Sequence, residues 1–474
     1  SDSRYEMIGY EGGLKLINFF AVHNIDFNKA WKAKQSGWHD QTRAIFANAE
    51  IGWKSMIYLT ATGRNDWDSR LAFSDYKSFF YPSIGLSAIL TSMFNAPDWL
   101  TYLKVRGSYT EVGNSYGRFM TTVTYPYDEQ TQSWTSTSSY PNTKLKPERT
   151  KSWEVGLDAR ILNDISLNLT YYRSNTYNQT FYADLSLSSG YSNIPIQSGN
   201  IMNEGLEMSL GYNKQWKDFS FNTNYTLTWN KNRVKRLADG VYNYATGQPI
   251  QMPELSPLTY GHTDARLILR VGGSMGDVYG QRLLKRDLNG YILNEEGVGL
   301  AMENKETYLG SILPKMNMGW SLGFGYKGVN LGMTFTGRFG GIVISETQSV
   351  LDAAGVSKVS ADVRDAGGVQ INQSKVSAQT YYQTIQGTAA YYTYSATNVR
   401  LGELSLSYTL PKKWFDNKVG MTVGLVGKNL WMIYCKAPFD PELTTSAASN
   451  FYQGFDAYML PSTRNFGFNV KFQF

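Results

Sequence analysis

The sequence predicts an all-β protein, a large antiparallel transmembrane β-barrel. Three observations predict it: a two-residue alternation that recurs end to end, a composition rich in rings yet polar, and connections whose length sorts by parity.

Alternation is clearest over 151–162, KSWEVGLDARIL. Trp153, Val155, Leu157, Ala159 and Ile161 fall on one face, opposite Ser152, Glu154, Gly156, Asp158 and Arg160. Side chains of a strand point to opposite sides in turn, so this segment has one apolar and one polar face. The same pattern recurs at 165–172, where Ile165, Leu167 and Leu169 oppose Ser166, Asn168 and Thr170, and at 219–230, where Phe221, Tyr225, Leu227 and Trp229 oppose Asn222, Asn224 and Thr226. Leu404, Leu406 and Tyr408 repeat it, and the chain closes on Phe466, Phe468, Val470, Phe472 and Phe474.

Composition agrees. Of 474 residues 15% are aromatic, including 34 Tyr and 12 Trp, yet the mean hydropathy is −0.36. A wall with one face in lipid and the other in water needs that mixture. No run reaches the roughly 18 apolar residues of a spanning helix; the longest candidate, INFFAV at 17–22, is interrupted by Asn18. No charged-then-apolar leader opens the chain, and SDSRYEMIGY already reads as a strand. The net charge of +6 is spread over single Lys and Arg residues, without the basic patches of a nucleic-acid binder. Cys435 is the one cysteine, which excludes an internal disulfide and a Cys-based metal site.

The connections separate a barrel from a propeller or sandwich. About 17 strands are expected, near 4–11, 14–27, 43–52, 55–66, 80–91, 100–111, 151–162, 165–175, 203–213, 217–231, 264–272, 277–286, 316–326, 329–340, 396–410, 418–432 and 462–474. With the last residue on the inner side, every inward connection is short: Gly12-Gly13, Trp53-Lys54, 92–99, Asn163-Asp164, 214–216, 273–276, Lys327-Gly328 and 411–417. Every outward connection is longer, the longest being 341–395. Outer-membrane barrels have this asymmetry. They also have an even strand count, and an open edge in lipid strands unpaired backbone groups. An odd count therefore predicts that further chain, most simply amino-terminal, supplies the closing strands.

Little points to chemistry. His23, His39 and His262 lie far apart, the last two in expected outward loops, and no carboxylate or Ser stands at short spacing to form a triad. No enzyme, cofactor or metal is expected. GLVGKN at 424–429 lacks phosphate-loop spacing and sits within an alternating strand. Asp287-Leu288-Asn289-Gly290 begins like a calcium loop, but the later ligands are absent, and an Asn-Gly turn is the simpler reading. The outward loops are more informative. Trp134 and Tyr140 in 112–150, and Tyr381, Tyr382, Tyr391 and Tyr392 in 341–395, are candidate contacts for a sugar face or a peptide side chain. The competing reading is an interfacial girdle or loop-on-loop packing. Glu154, Asp158, Arg160 and Asn224 are candidates to line the lumen.

Specific motifs carry a family resemblance over nearly the whole chain. FFYPSIGLSAIL at 79–90, WLTYLKVRGSYTEVGN at 99–114, LKPERTKSWEVGLDARI at 145–161 and GNIMNEGLEMSLGY at 199–212 come first. DVYGQRLLKRDLNG at 277–290, NVRLGELSLSYTLPKKW at 398–414, VGKNLWMI at 426–433, FDPEL at 439–443 and the terminal Phe474 follow in order. The chain thereby resembles the carboxy-terminal half of SusC/RagA-like TonB-dependent transporters of Bacteroidota outer membranes. The resemblance implies a 22-stranded barrel with an amino-terminal plug, of which residues 1–474 would be one carboxy-terminal portion holding about 17 strands. It further implies a SusD-like surface lipoprotein as lid, TonB coupling through the absent amino-terminal region, and import of oligosaccharides or peptides. The motifs are mostly architectural: Pro147 suits a strand entry, where no ladder donor is lost. The alternative is a passive porin or surface adhesin scaffold on the same barrel. A siderophore-type receptor ranks third, and a barrel enzyme last.

Overall fold

The computed structural model describes residues 2–10, 16, 31–125, 127–128, 133–197, 199–237, 248, 254–295, 299–416, 418–443, 445 and 452–474. Its main body is one antiparallel sheet of 13 strands, each hydrogen-bonded to its sequence neighbour in the wall. In order these are β1 (Thr42–Trp53), β2 (Ile57–Asp68), β3 (Phe79–Ile89), β4 (Leu100–Asn114), β5 (Glu148–Ile161), β6 (Ile165–Tyr177) and β7 (Asn200–Trp216). Then come β8 (Phe219–Arg236), β9 (Met316–Tyr326), β10 (Val329–Phe339), β11 (Asn398–Leu410), β12 (Gly420–Cys435) and β13 (Asn465–Gln473). The two edge strands, β1 and β13, are exposed along their whole length and do not pair with each other.

Register keeps the apolar face continuous across the wall. Leu157 lies opposite Val105 and Leu169, Leu169 opposite Met208, Met208 opposite Leu227, and Leu227 opposite Met318. Lower on the same face, Phe221, Phe324, Leu331, Leu406, Leu425 and Phe468 form a second row that reaches the far edge. These side chains face outward without a protein partner layer, which is why so many large apolar residues are exposed: Leu425 at 65% and Phe468 at 80%, for instance. In water such a band would be a liability; in hydrocarbon it is the solvent-facing surface. Rings mark both ends of the band. Trp53, Trp216, Tyr326 and Trp414 stand by the inward turns, and Tyr109, Trp153, Trp229 and Trp431 toward the outer rim, as interfacial girdles do.

The long connections all lie at the outer rim as expected, but the sorting is not strict, since the outward link 69–78 is no longer than the inward 90–99. Inward ones are the tight links 54–56, 162–164, 217–218 and 327–328, with 90–99 and 411–419. Lys54 and Ser55, and Leu162 and Asn163, have positive φ in pairs, the backbone of hairpin turns whose twist matches the strands. Outward connections are 69–78, 115–147, 178–199, 237–315, 340–397 and 436–464. All four buried apolar clusters sit in these outward connections and the adjoining strand ends, not in the middle of the wall.

Three expectations are corrected. The segments 264–272 and 277–286 are not wall strands. Arg266–Arg270 and Asp277–Leu284 belong to a separate four-stranded sheet with Glu254–Thr259 and Met302–Ser311, while β8 pairs directly with β9. Leu267, Ile268 and Leu269 are consecutive and all buried; an unbroken apolar run marks a strand covered on both faces, not one at a lipid boundary. Next, 340–397 is not a plain loop. It holds the helices Glu346–Ala353, Lys358–Asp365 and Ala378–Ile385, whose N-caps Ser345, Ser357 and Ser377 each accept a backbone N–H three residues on. Finally, Asp2–Tyr10 pairs with Trp31–His39 in a separate ladder, so His39 ends a strand instead of lying in a loop. The expected strand at 14–27, the Gly12-Gly13 turn and His23 lie outside the described residues, apart from Leu16.

A charge at Leu425 tests the lipid face. Leu425→Arg in the complete protein in lipid vesicles should lose about 2–4 kcal/mol in urea unfolding. Asn469→Arg, on the polar face of the neighbouring strand, should cost much less.

Candidate functional site

The opposite face of the wall is polar, and the outward connections fold over one rim of it. On β4–β7 this face presents a linked set of charges. Arg106 lies across Gly156, where a Cβ would sit 2.5 Å from its Nε. Arg106 reaches Asp158 at 3.7 Å and donates to Thr170 Oγ1 at 2.5 Å. Asn168 donates to the other oxygen of Asp158. Glu154 shares a depression with Lys104, Arg106 and Tyr58. Asp158 and Arg160 share the next one with Asn168 and Ser209, and Ser209 donates to Asn224 Oδ1 at 3.0 Å. The four lumen candidates are thus on the polar face, near one another in three cases. Arg106 and Lys104 belong with them. Their signal is the same alternation over 100–111, but the cross-strand juxtaposition needs the register.

The cap over the rim is knitted from three connections. Ile342–Ser345 pairs antiparallel with Thr393–Ser395 and parallel with Phe455–Asp456. Ser345 donates to Asp456 at 2.6 Å, and Tyr458 donates to Glu346 at 3.1 Å. Asp264, from 237–315, accepts from the amides of Gln281, Arg282 and Ala389, the last at 2.6 Å. Tyr260 is fully buried among Leu267, Ile312, Ile344 and Phe455, and burial pushes its phenol far up.

The aromatic candidates divide. Tyr382 and Tyr392 are buried in a cluster with Leu284, Ile371 and Ile385, and Tyr381 and Tyr391 pack on it. Tyr391 Oη accepts from the Leu284 amide at 3.0 Å. The expectation of outward ligand contact is corrected for Tyr382 and Tyr392: their rings hold loop on loop, Tyr392 at 2% exposure. Tyr140 packs edge-on against Tyr191 at 5.1 Å beside another loop core. Trp134 is different, 70% exposed on a short two-stranded ladder, where its ring lies 5.0 Å from that of its partner Tyr127.

Asp287 Oδ1 accepts from the amides of Asn289 and Tyr291 at 2.9 and 2.8 Å, and Gly290 has φ 84°, so this carboxylate organises a turn. Among the described residues no group of three or more His, Cys, Asp or Glu is placed to hold a metal.

A buried ion pair ties the cap to the wall. Arg400 of β11 grips Asp440 through both terminal nitrogens, at 2.9 and 2.8 Å, with Glu442 at 3.3 Å and Asn398 Oδ1 at 3.1 Å. Side-chain exposure is 11% for Arg400 and 7% for Asp440. Burial opposes ionisation of Asp440, but the Arg400 hydrogen bonds, the Glu442 amide and the guanidinium charge outweigh it and hold the carboxyl below the usual carboxylate range.

Two outcomes follow from this geometry. Because its folded pKa is depressed, Asp440 contributes stability above the ordinary aspartate value, near 4, and loses it as pH falls through the folded value. Hydrogen exchange over 436–443 should therefore rise on acidification below about pH 4, and Asp440→Asn should already exchange fast at pH 7. Arg400→Ala, which strands a buried carboxylate, should cost about 3–5 kcal/mol. Second, Tyr392 Oη is buried without a hydrogen-bond partner among the described residues. Tyr392→Phe should leave thermal stability unchanged or raise it, whereas Tyr392→Ala should lose about 3–5 kcal/mol.

Comparison with known proteins matches residues 18–430 to the family described as TonB dependent receptor-like, beta-barrel. TonB-dependent receptor P3 of Formosa agariphila is 24% identical over 513 residues, covering 99% of this chain and 50% of that protein. TonB-dependent receptor SusC of Bacteroides thetaiotaomicron is 25% identical over 243 residues, 50% of this chain and 22% of that one. Among solved structures, the RagAB peptide importer in its closed-closed state superposes with a TM-score of 0.72 at 18% identity, covering 99% of this chain and 52% of that one. The chain spans about half the length of the curated relatives it matches from end to end. The family is one of receptors and transporters, not of enzymes. By its wall, its sorted loops and these matches, the chain belongs to the TonB-dependent receptor-like β-barrel family, as a SusC/RagA-like member of the outer membrane.

Proposed function

We propose that the chain forms most of the wall and outer cap of an active importer of oligomeric nutrients. Its polar face, with Glu154, Asp158, Arg160 and Asn224, surrounds a plug contributed by the rest of the protein. Charges there are tolerable because each finds a partner or water. The cargo is an oligosaccharide or a peptide. It is captured between the outward connections and a SusD-like lipoprotein lid, with Trp134 as the exposed ring best placed to meet it. TonB, engaging the region outside this chain, supplies the energy.

One observation carries the reading: every long connection is an outward one, and these build a cap with its own apolar cores over a polar interior. A passive pore has no use for such a structure above its mouth. The names of the matched proteins, SusC and a peptide importer, agree in class.

Deleting the energy-coupling segment of the complete protein should abolish uptake of a fluorescent oligomer while surface binding persists. Uptake at the undeleted rate would place the protein among passive porins. Parallel trials with labelled oligosaccharide and peptide decide the cargo class.

A further inference from the structure

The lipid-facing side of β5–β8 is apolar in its middle and strongly basic at its outer end. Register defines three rows across these strands. The lowest is Val155, Tyr171, Leu206 and Trp229. The next is Trp153, Arg173, Glu204 and Lys231, and the one above it is Lys151, Asn175, Met202 and Arg233. Arg149 stands one step higher, opposite Tyr177. All these residues share the face of Leu157 and Leu169, so they point away from the lumen.

The balance of charge is positive. Glu111 neutralises one charge, lying 3.0 Å from Arg149 and 3.4 Å from Lys151, and Glu204 another, 3.7 Å from Lys231. Five cations against two carboxylates leave a surplus of three, and Arg173 and Arg233 have no ion pair among the described residues. The patch is local. In the row of Trp153, β4, β3, β2 and β1 present Tyr109, Ile84, Ala61 and Ala49 to the outside.

Position selects the ligand. The patch begins one row above Tyr171, whose ring packs 5.4 Å from Trp153 at the interfacial girdle, and ends where the outward connections leave the wall. That is the level of the outer-leaflet headgroups. Guanidinium groups suit phosphate because they donate in a planar fork, and cations at a membrane surface attract anionic headgroups. A rim that merely met water would have no reason to gather five cations within four adjacent strands of thirteen.

We propose that this face binds the phosphorylated headgroup of an outer-leaflet glycolipid of the lipid A type, its acyl chains lying along Val155, Tyr171 and Leu206. The proposal depends on the wall's place in the outer membrane and not on what the protein imports.

Native mass spectrometry of the complete protein, with purified lipid A and its dephosphorylated form as probes, tests it. The phosphorylated lipid should be retained at least about tenfold better. Arg173→Gln with Arg233→Gln should weaken retention about thirtyfold, and Lys375→Gln on the cap should not change it. Equal retention of the two lipids by the unsubstituted protein would overturn the proposal without reliance on any variant. Displacement of the lipid by equimolar inorganic phosphate would also overturn it, since the site would then hold a soluble anion.

Discussion

Every backbone N–H and C=O that the wall places in hydrocarbon must find its partner on the neighbouring strand, because no water is there to substitute. This one constraint fixes the rest. A ladder that cannot be interrupted cannot slip either, for a one-residue shift would move a strand's whole apolar set to the wet side. The wall obeys this from Ile51 and Leu59 at one edge to Val423 and Val470 at the other. Irregularities gather toward the ends of strands: between Asn200 and Ile201, between Val399 and Arg400 and between Leu401 and Glu403 at the outer side, and between Leu100 and Tyr102 at the inner. There the strands leave lipid, and a bulge can re-aim side chains without exposing unpaired groups to hydrocarbon. The bulges around Arg400 are an instance: they lie in the stretch that faces Asp440 of the cap.

The cap is made by a different logic from the wall. Its stability comes from ordinary apolar burial, with Tyr260, Leu267, Leu269 and Val278 fully enclosed, and from carboxylates that gather amides, as Asp264 does across 125 residues of sequence to Ala389. Two connections, 340–397 and 436–464, share the short sheet around Ile342–Ser345, and Asp264 ties 237–315 to the first of them. Displacing 436–464 would break its ladder bonds to Ile344 and Ser345, and displacing 237–315 would break the Asp264 bond to Ala389, so the three connections are mechanically linked.

The wall was legible in the sequence because its two faces meet different solvents, and that difference writes itself at every second residue. Each of its strands agrees with the sequence reading to within a few residues, the largest difference being at β8, where the alternation runs further outward, to Arg236. The cap was not legible to the same degree. Leu267–Leu269 look like wall to a reading that seeks apolar strands, and only the loss of alternation separates them. The helices after Ser345, Ser357 and Ser377 carry their capping serines in plain view, but each is a mere eight residues long, too short for a helical period to stand out from Tyr- and Ser-rich surroundings. For the candidate site the division is the same: which residues face the polar side follows from parity, whereas Arg106 over Gly156, or Tyr392 enclosed among Leu284 and Ile385, follows from partners that only the register and tertiary packing bring together.

Parity also distinguishes two kinds of charge that composition merges. Glu154, Asp158 and Arg106 lie on the even-numbered, polar face of β4 and β5, while Glu111, Arg149 and Lys151 lie on the odd-numbered face that lower down is pure hydrocarbon surface. The first group is wet along the whole strand and can be placed at any height. The second is admissible only beyond the girdle, because a cation at mid-membrane depth would cost about 2–4 kcal/mol. That the odd-face charges on these two strands occur only outward of Tyr109 and Trp153 is therefore a measure of where the bilayer ends, written by the chain itself.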